Sequence, residues 1–355
     1  MTYRTSITSF AVALAVSLGS VGCGHGANDA SAMSTTGASG KAHPGRASGA
    51  MGANSSAAGV NGASSTGDMA ADSTRKLPPN HMGRIPVLEY HVIGGSKDAL
   101  YTRTPASFRR DLEDVYRRGY RPITISQMLD KDFHDVPEGM SPVVIVFDDA
   151  SAEQFSYIEQ NGKLEIDSTS GMGIWLDFAK THPGWENRAV FCMLNGASAG
   201  HNFFGDGPKY RGQHRQWRFQ KVKWLADNGF ELCAHTLWHA KLNKYPDGVV
   251  QEQIARNLMG IDSAVAGYTV RTFALPYGLW PKNRELAWQG SWTDPKTGRQ
   301  HSYKFDAVLE VSGGPARSPY DPAFNPHSIT RIEAIGDDIT RQLDKLDATK
   351  SRFVR

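Results

Sequence analysis

Residues 143–147, Val-Val-Ile-Val-Phe, form an unbroken apolar run that ends in two aspartates, Asp148 and Asp149. A strand that is apolar at every position has both faces covered, as in a parallel sheet under helices, whereas an antiparallel sheet keeps one wet face and alternates. The pattern recurs along the chain. Residues 85–91, 188–194, 230–234, 272–275, 306–311 and 329–334 read as further strands. Between them, 107–118, 172–179, 213–227 and 249–266 carry apolar residues at helical spacing, and 282–288 is a shorter helical candidate. Strands alternating with helices imply parallel βαβ units. So many units in one globular stretch favour a closed sheet, so the expected class is α/β, a distorted, TIM-barrel-like (β/α) barrel of about seven strands. In such a barrel the catalytic side chains gather at the carboxyl ends of the strands.

The 355-residue chain has a formal charge of only +3 and no basic block, which excludes nucleic acid as the main partner. Its first 80 residues are rich in Ala, Gly and Ser and nearly free of aromatics. Arg4 precedes an apolar stretch over 7–21 that is too short to span a bilayer comfortably, the pattern of an export signal. Gly22-Cys23-Gly24 follows it and resembles a bacterial lipoprotein cleavage site, with Cys23 as the lipidated residue and residues 1–23 as the signal peptide. The competing reading is ordinary cleavage after Ala30-Ser31-Ala32. Residues 24–80 lack the apolar content to offset their chain entropy and read as a flexible linker. These features place a globular domain over 84–346 in the cell envelope or periplasm, held to a membrane by an N-terminal lipid anchor. Two further cysteines, Cys192 and Cys233, fall in core strands and read as small buried hydrophobes, with a disulfide between them the alternative in an exported protein.

The chemistry is carried by three short runs. Asp148-Asp149 ends a buried strand. His235-Thr-Leu-Trp-His239 follows the strand at 230–234. One aspartate and two histidines suffice to hold a divalent cation with one position left open, and the second aspartate would stand beside it as a base. Taken singly, each run has a plainer explanation: an aspartate pair caps a following helix, and two histidines four apart occur in ordinary cores. The third run, Phe273-Ala-Leu-Pro-Tyr-Gly278, reads as a strand entering a turn that can aim a backbone N–H at an oxyanion.

Together these runs resemble the polysaccharide deacetylases, carbohydrate esterase family 4 or the NodB homology group. Ile85-Pro-Val-Leu-Glu-Tyr-His91 is similar to the opening of the branch acting on poly-N-acetylglucosamine. Val146-Phe-Asp-Asp149 resembles the family's Thr-Phe-Asp-Asp, and His235-Thr-Leu-Trp-His239 its His-Ser/Thr-x-x-His; Pro276-Tyr-Gly278 matches the end of its Arg-x-Pro-Tyr. The resemblance implies that Asp149, His235 and His239 hold the metal, zinc by default with cobalt or nickel also suited. It makes Asp148 the base and directs the Tyr277 N–H at the oxyanion. Two departures stand out. The family's arginine before Pro-Tyr is Ala274 here, with Arg271 three residues upstream as the candidate replacement. Its late Leu-x-His acid is absent, which leaves His91 as the expected acid and His327 as a weaker one.

The expected activity is metal-dependent removal of acetyl groups from a polysaccharide, chiefly N-acetyl groups of an N-acetylglucosamine polymer. An O-acetyl esterase, a non-catalytic glycan-binding barrel and a periplasmic metal-binding protein are the alternatives.

Overall fold

A computed structural model describes residues 76–198 and 200–355 of the chain. The expectations for a signal peptide, for Cys23 and for most of the linker lie outside the described residues. Among the described residues, no helix is long and apolar enough to cross a membrane.

Seven parallel strands close into a ring. They are β1 (Val87–Tyr90), β2 (Ser141–Asp148), β3 (Val190–Met193), β4 (Glu231–Ala234), β5 (Thr272–Ala274), β6 (Ala307–Gly313) and β7 (Ile329–Glu333). Around the ring the order is β1-β7-β6-β5-β4-β3-β2, and β2 returns to β1 through the pairs Val87↔Val144 to Tyr90↔Phe147. The barrel expected from the alternating runs is therefore the barrel found. A short strand, Tyr120–Ile123, pairs with the first half of β2 outside the ring.

Alternate residues of each strand enter two different clusters. Val87, Val144, Val146, Val190, Ala274 and Leu309 pack together inside the barrel, with the short helix Ile125–Leu129 and Phe353 closing its amino end. Leu88, Ile145, Phe191, Leu232 and Phe273 face outward against α1 (Pro105–Arg117), α2 (Gly171–Thr181), α3 (Arg218–Asp227), α4 (Asp247–Ala264) and α5 (Asp338–Ala348). Burying one such aliphatic side chain contributes roughly 1.5–3 kcal/mol. That burial on both faces explains why the strands need no alternation.

Cys192 and Cys233 sit at paired positions of β3 and β4 and are joined by a disulfide, so the alternative reading of the pair replaces the favoured one of separate hydrophobes. The bridge lies in the interior cluster, and Cys192 is also the register partner of Asp148. Two antiparallel hairpins lie outside the barrel, Tyr157–Gln160 with Lys163–Ile166 and Gln289–Thr293 with Gln300–Lys304. The region expected to be helical at 282–288 is only a single 3-10 turn, Arg284–Ala287.

Candidate active site

Asp148 is the last residue of β2 and points into the top of the barrel, where only 1% of it is exposed. Its carboxylate lies 2.9 Å from Nη1 of Arg331, a fully buried residue of β7. Nη2 of the same guanidinium lies 3.2 Å from Glu89 of β1, and its Nε donates to the Glu310 carbonyl. Burial alone would raise the Asp148 carboxyl; Arg331 above all, then His235 and His91, outweigh it and hold it below the usual range. Glu89 goes the other way. Burial dominates there, Asp148 adds to it, and its carboxyl is pushed well above the ordinary value despite Arg331.

Asp149 follows in left-handed backbone (φ 76°), as does Ala150 (φ 54°). A non-glycine residue in this region costs on the order of 1 kcal/mol and persists where the surroundings impose it, often at working sites. The Gln154 amide braces the turn by donating to the carbonyls of Asp148 (2.5 Å) and His91 (2.6 Å). The result turns the Asp149 carboxylate toward the two imidazoles. Its Oδ1 lies 3.4 Å from His235 Nε2 and 3.5 Å from His239 Nε2.

The spacing of four between the histidines is not helical here. Residues 235–240 form an irregular turn with Thr236 and His239 in left-handed backbone (φ 71° and 64°). The Thr236 hydroxyl accepts from the backbone N–H groups of both His239 (3.1 Å) and Ala240 (3.2 Å). Helix α4 steadies the turn from below: Asn257 Oδ1 accepts from the His235 N–H and Gln253 Oε1 from the Trp238 N–H. His235 Nδ1 donates to the Ala274 carbonyl at 2.9 Å, which leaves the Nε2 lone pair facing the site. Burial would lower His235, yet Asp148 and Asp149 together raise it. His239 is pulled down to about 4, first by burial and then by His235.

These groups suit a cation. Asp149 Oδ1 and His235 Nε2 are buried and have no hydrogen-bond partner, although an unpaired buried polar atom is costly. Ligand atoms of Asp149, His235 and His239 lie within 4.8 Å of one another. One carboxylate and two imidazoles form a donor set of the kind zinc and its neighbours accept.

His91 follows β1 and completes the cluster. Its Nε2 is 3.5 Å from Glu89, and the Tyr101 ring packs on it at 4.8 Å. Burial lowers His91, against the pull of Asp148 and Asp149. On the other side, Tyr277 sits in left-handed backbone (φ 57°) between Pro276 and Gly278, its ring 4.1 Å from that of His239. All six candidates, Asp148, Asp149, His235, His239, His91 and Tyr277, therefore gather at the carboxyl end of the barrel.

Two secondary candidates do not. Arg271 binds Asp130 (2.7 Å) and Asp306 (2.6 Å) at the opposite end of the barrel and cannot replace the arginine missing at Ala274. His327 stacks on Trp288 at 4.7 Å, away from the cluster. The guanidinium beside Asp148 comes from Arg331 instead, which the sequence reading passed over, together with Glu89. The available signal was an ionisable residue in the middle of an apolar strand: Arg331 between Ile329 and Ile332, and Glu89 between Leu88 and Tyr90.

The family model described as polysaccharide deacetylase matches residues 186–289, a stretch holding β3 to β5, both histidines and Tyr277. No curated protein matches the chain. Among solved structures, a putative polysaccharide deacetylase of Bacillus anthracis is 16% identical, with a TM-score of 0.50 over 74% of this chain and 69% of that one. A Streptococcus pyogenes deacetylase, PplD, solved with acetate, is 15% identical, with a TM-score of 0.51 over 75% of this chain and 98% of that one. A Bacillus cereus polysaccharide deacetylase gives 15% and 0.50 over 74% and 69%. At these identities the likeness is one of fold, and the family match is confined to residues 186–289, where the chain is similar to the polysaccharide deacetylases.

Proposed function

We propose that the chain is a metal-dependent deacetylase that removes N-acetyl groups from an N-acetylglucosamine-containing polysaccharide. The observation that carries this reading is the convergence of Asp149 Oδ1, His235 Nε2 and His239 Nε2, two of them orphaned, beside a buried carboxylate held by an arginine. Asp149, His235 and His239 would hold the cation, with zinc the natural occupant. Bound there, such a cation supplies Lewis acidity that polarises an acetyl carbonyl and acidifies water. Asp148 accepts the proton of the attacking water, and Arg331 keeps its carboxyl ionised and aimed. The Tyr277 N–H is the candidate donor to the oxyanion. His91 passes a proton to the departing amine.

The presence of His91 favours the amide over an acetyl ester. An amine is the poorer leaving group and needs the acid more. The N-acetylglucosamine polymer is favoured by the run 85–91, similar to the opening of the branch that acts on it. By the same reading Cys23 anchors the protein to a membrane of the envelope, and residues 24–80 let the domain reach its polymer.

Acetate release from a panel of acetylated glycans tests the proposal, with wild type, Asp148→Asn and His235→Ala compared with and without chelator. The expected result is activity that chelator and His235→Ala both abolish. Asp148→Asn should lower kcat by about 10²–10⁴-fold while still binding metal. Full activity of Asp148→Asn, or binding of glycan with no acetate released by wild type, would overturn the reading.

A further inference from the structure

The stretch between β3 and α3 carries a histidine that no motif assigns. His201 Nδ1 lies 3.7 Å from Asp149 Oδ2, the carboxylate oxygen other than the one approached by His235 and His239. One carboxylate thus divides its oxygens, Oδ1 toward the two imidazoles and Oδ2 toward His201.

The placement is built into the fold. Just after His201, the Phe203 N–H donates to the Leu194 carbonyl at the end of β3 (3.0 Å). The Phe204 N–H donates to the carbonyl of Ala150, the residue after Asp149 (2.9 Å). Phe203 and Phe204 both hold left-handed backbone (φ 46° and 68°) and are buried, so this conformation is imposed by packing. From α3, the fully buried Lys221 donates to the Phe204 carbonyl at 2.5 Å. Two backbone hydrogen bonds and the buried Lys221 side chain therefore fix the segment against the turn that presents Asp149.

We propose that His201 is a positioning residue for the metal carboxylate: it holds Asp149 Oδ2 so that Oδ1 stays aimed between His235 and His239. The proposal rests on reading those three residues as a cation site. Groups that hold a ligating side chain from behind typically affect metal affinity by about 10- to 100-fold. A free carboxylate at the end of a strained turn can rotate, and each rotation away from the imidazoles removes a ligand.

The test measures zinc affinity of the full chain, stripped by chelator and titrated against a chromogenic competitor. His201→Ala should bind zinc about 10- to 100-fold more weakly. The metal-free His201→Ala protein should unfold at the wild-type temperature. His201→Gln, whose amide can donate to Oδ2 from the same position, should stay within about threefold of wild type. The cobalt-loaded protein adds a spectroscopic readout: His201→Gln should keep the wild-type visible absorption. An affinity of His201→Ala within about twofold of wild type overturns the proposal. So does a lowered melting temperature of the metal-free variant, which would make the role one of loop packing. Equal weakness of the Gln and Ala variants also overturns it, since the imidazole would then be needed for itself. His239→Ala separates the two levels of argument. If it binds zinc like wild type, the cation site itself is misread; if it loses zinc while His201→Ala keeps it, only the positioning role fails.

Discussion

The two ends of the barrel carry the same group of charges in opposite settings. At the carboxyl end Arg331 bridges Asp148 and Glu89, with side chains 0%, 2% and 0% exposed. At the amino end Arg271 bridges Asp130 and Asp306, with side chains 29%, 54% and 47% exposed. The exposed contacts are the shorter ones, 2.7 and 2.6 Å against 2.9 and 3.2 Å. Water solvates and screens the second group, and its pairing therefore adds little. The first has no water to fall back on, so each member depends on the others, and their charge states are set by burial as much as by attraction. Geometry alone does not distinguish a working cluster from a surface ornament; solvation does.

The largest effect should come from breaking the buried bridge. Arg331→Met leaves two carboxyls unpaired inside the barrel, and removing one partner of a buried pair costs about 3–5 kcal/mol. Urea unfolding should show a loss of that size. Acetate release should fall by about 10²-fold in the folded fraction, since Asp148 is no longer aimed. Arg331→Lys keeps the charge but not the fork that reaches two carboxylates, and should fall between the two. If Arg331→Met is as stable and active as wild type, the contrast between the two ends collapses.

This contrast also marks what the sequence could and could not disclose. The barrel was legible because strand after strand is apolar throughout, and Asp148, Asp149, His235 and His239 were legible because they end two of those strands. The partner of Asp148 was not. Arg271 is nearer along the chain to the vacant position at Ala274, but three residues along a strand span about 10 Å. A barrel brings charges together across strands, and spacing along one strand says nothing of that. The disulfide was legible only as an alternative for a similar reason, since Cys192 and Cys233 meet only through the register of β3 and β4. The hairpin at Asn161-Gly162 is a different case. Both residues take left-handed backbone (φ 52° and 71°), and Asn-Gly between short strands is a strong turn signal that the sequence displays openly.

A sharper test of the same contrast uses pH. Glu89 has a raised carboxyl in the fold, so between its unfolded and folded values the unfolded chain holds fewer protons. Stability from this group is present at low pH and is lost as pH rises above about 4.3. Arg331, Asp148 and His91 face it, with Glu333 adding to the upward shift. Glu89→Gln cannot titrate and is freed from that loss. Its stability relative to wild type should therefore climb as pH rises above about 4.5, with a slope of at most about 1.4 kcal/mol per pH unit. Unfolding by urea at several pH values gives the difference directly. A flat difference would mean that water reaches Glu89 and that the carboxyl end is no more dry than the amino end.

The smallest effect is expected at the exposed group, and it closes the comparison. Arg271→Met removes two short ion pairs, yet exposed pairs are worth about 0–1 kcal/mol each because solvent already satisfies the charges. The loss should shrink further as salt is raised from 0.01 to about 0.5 M, where the screening length falls from about 30 Å to a few ångströms. Acetate release should be unchanged, because the group stands at the end of the barrel away from Asp148. The buried cluster should show almost no such salt dependence, since mobile ions cannot enter it. Parallel salt titrations of Arg271→Met and Arg331→Met therefore compare like chemistry in unlike solvents. Equal salt dependence in the two would locate the difference between the ends somewhere other than solvation.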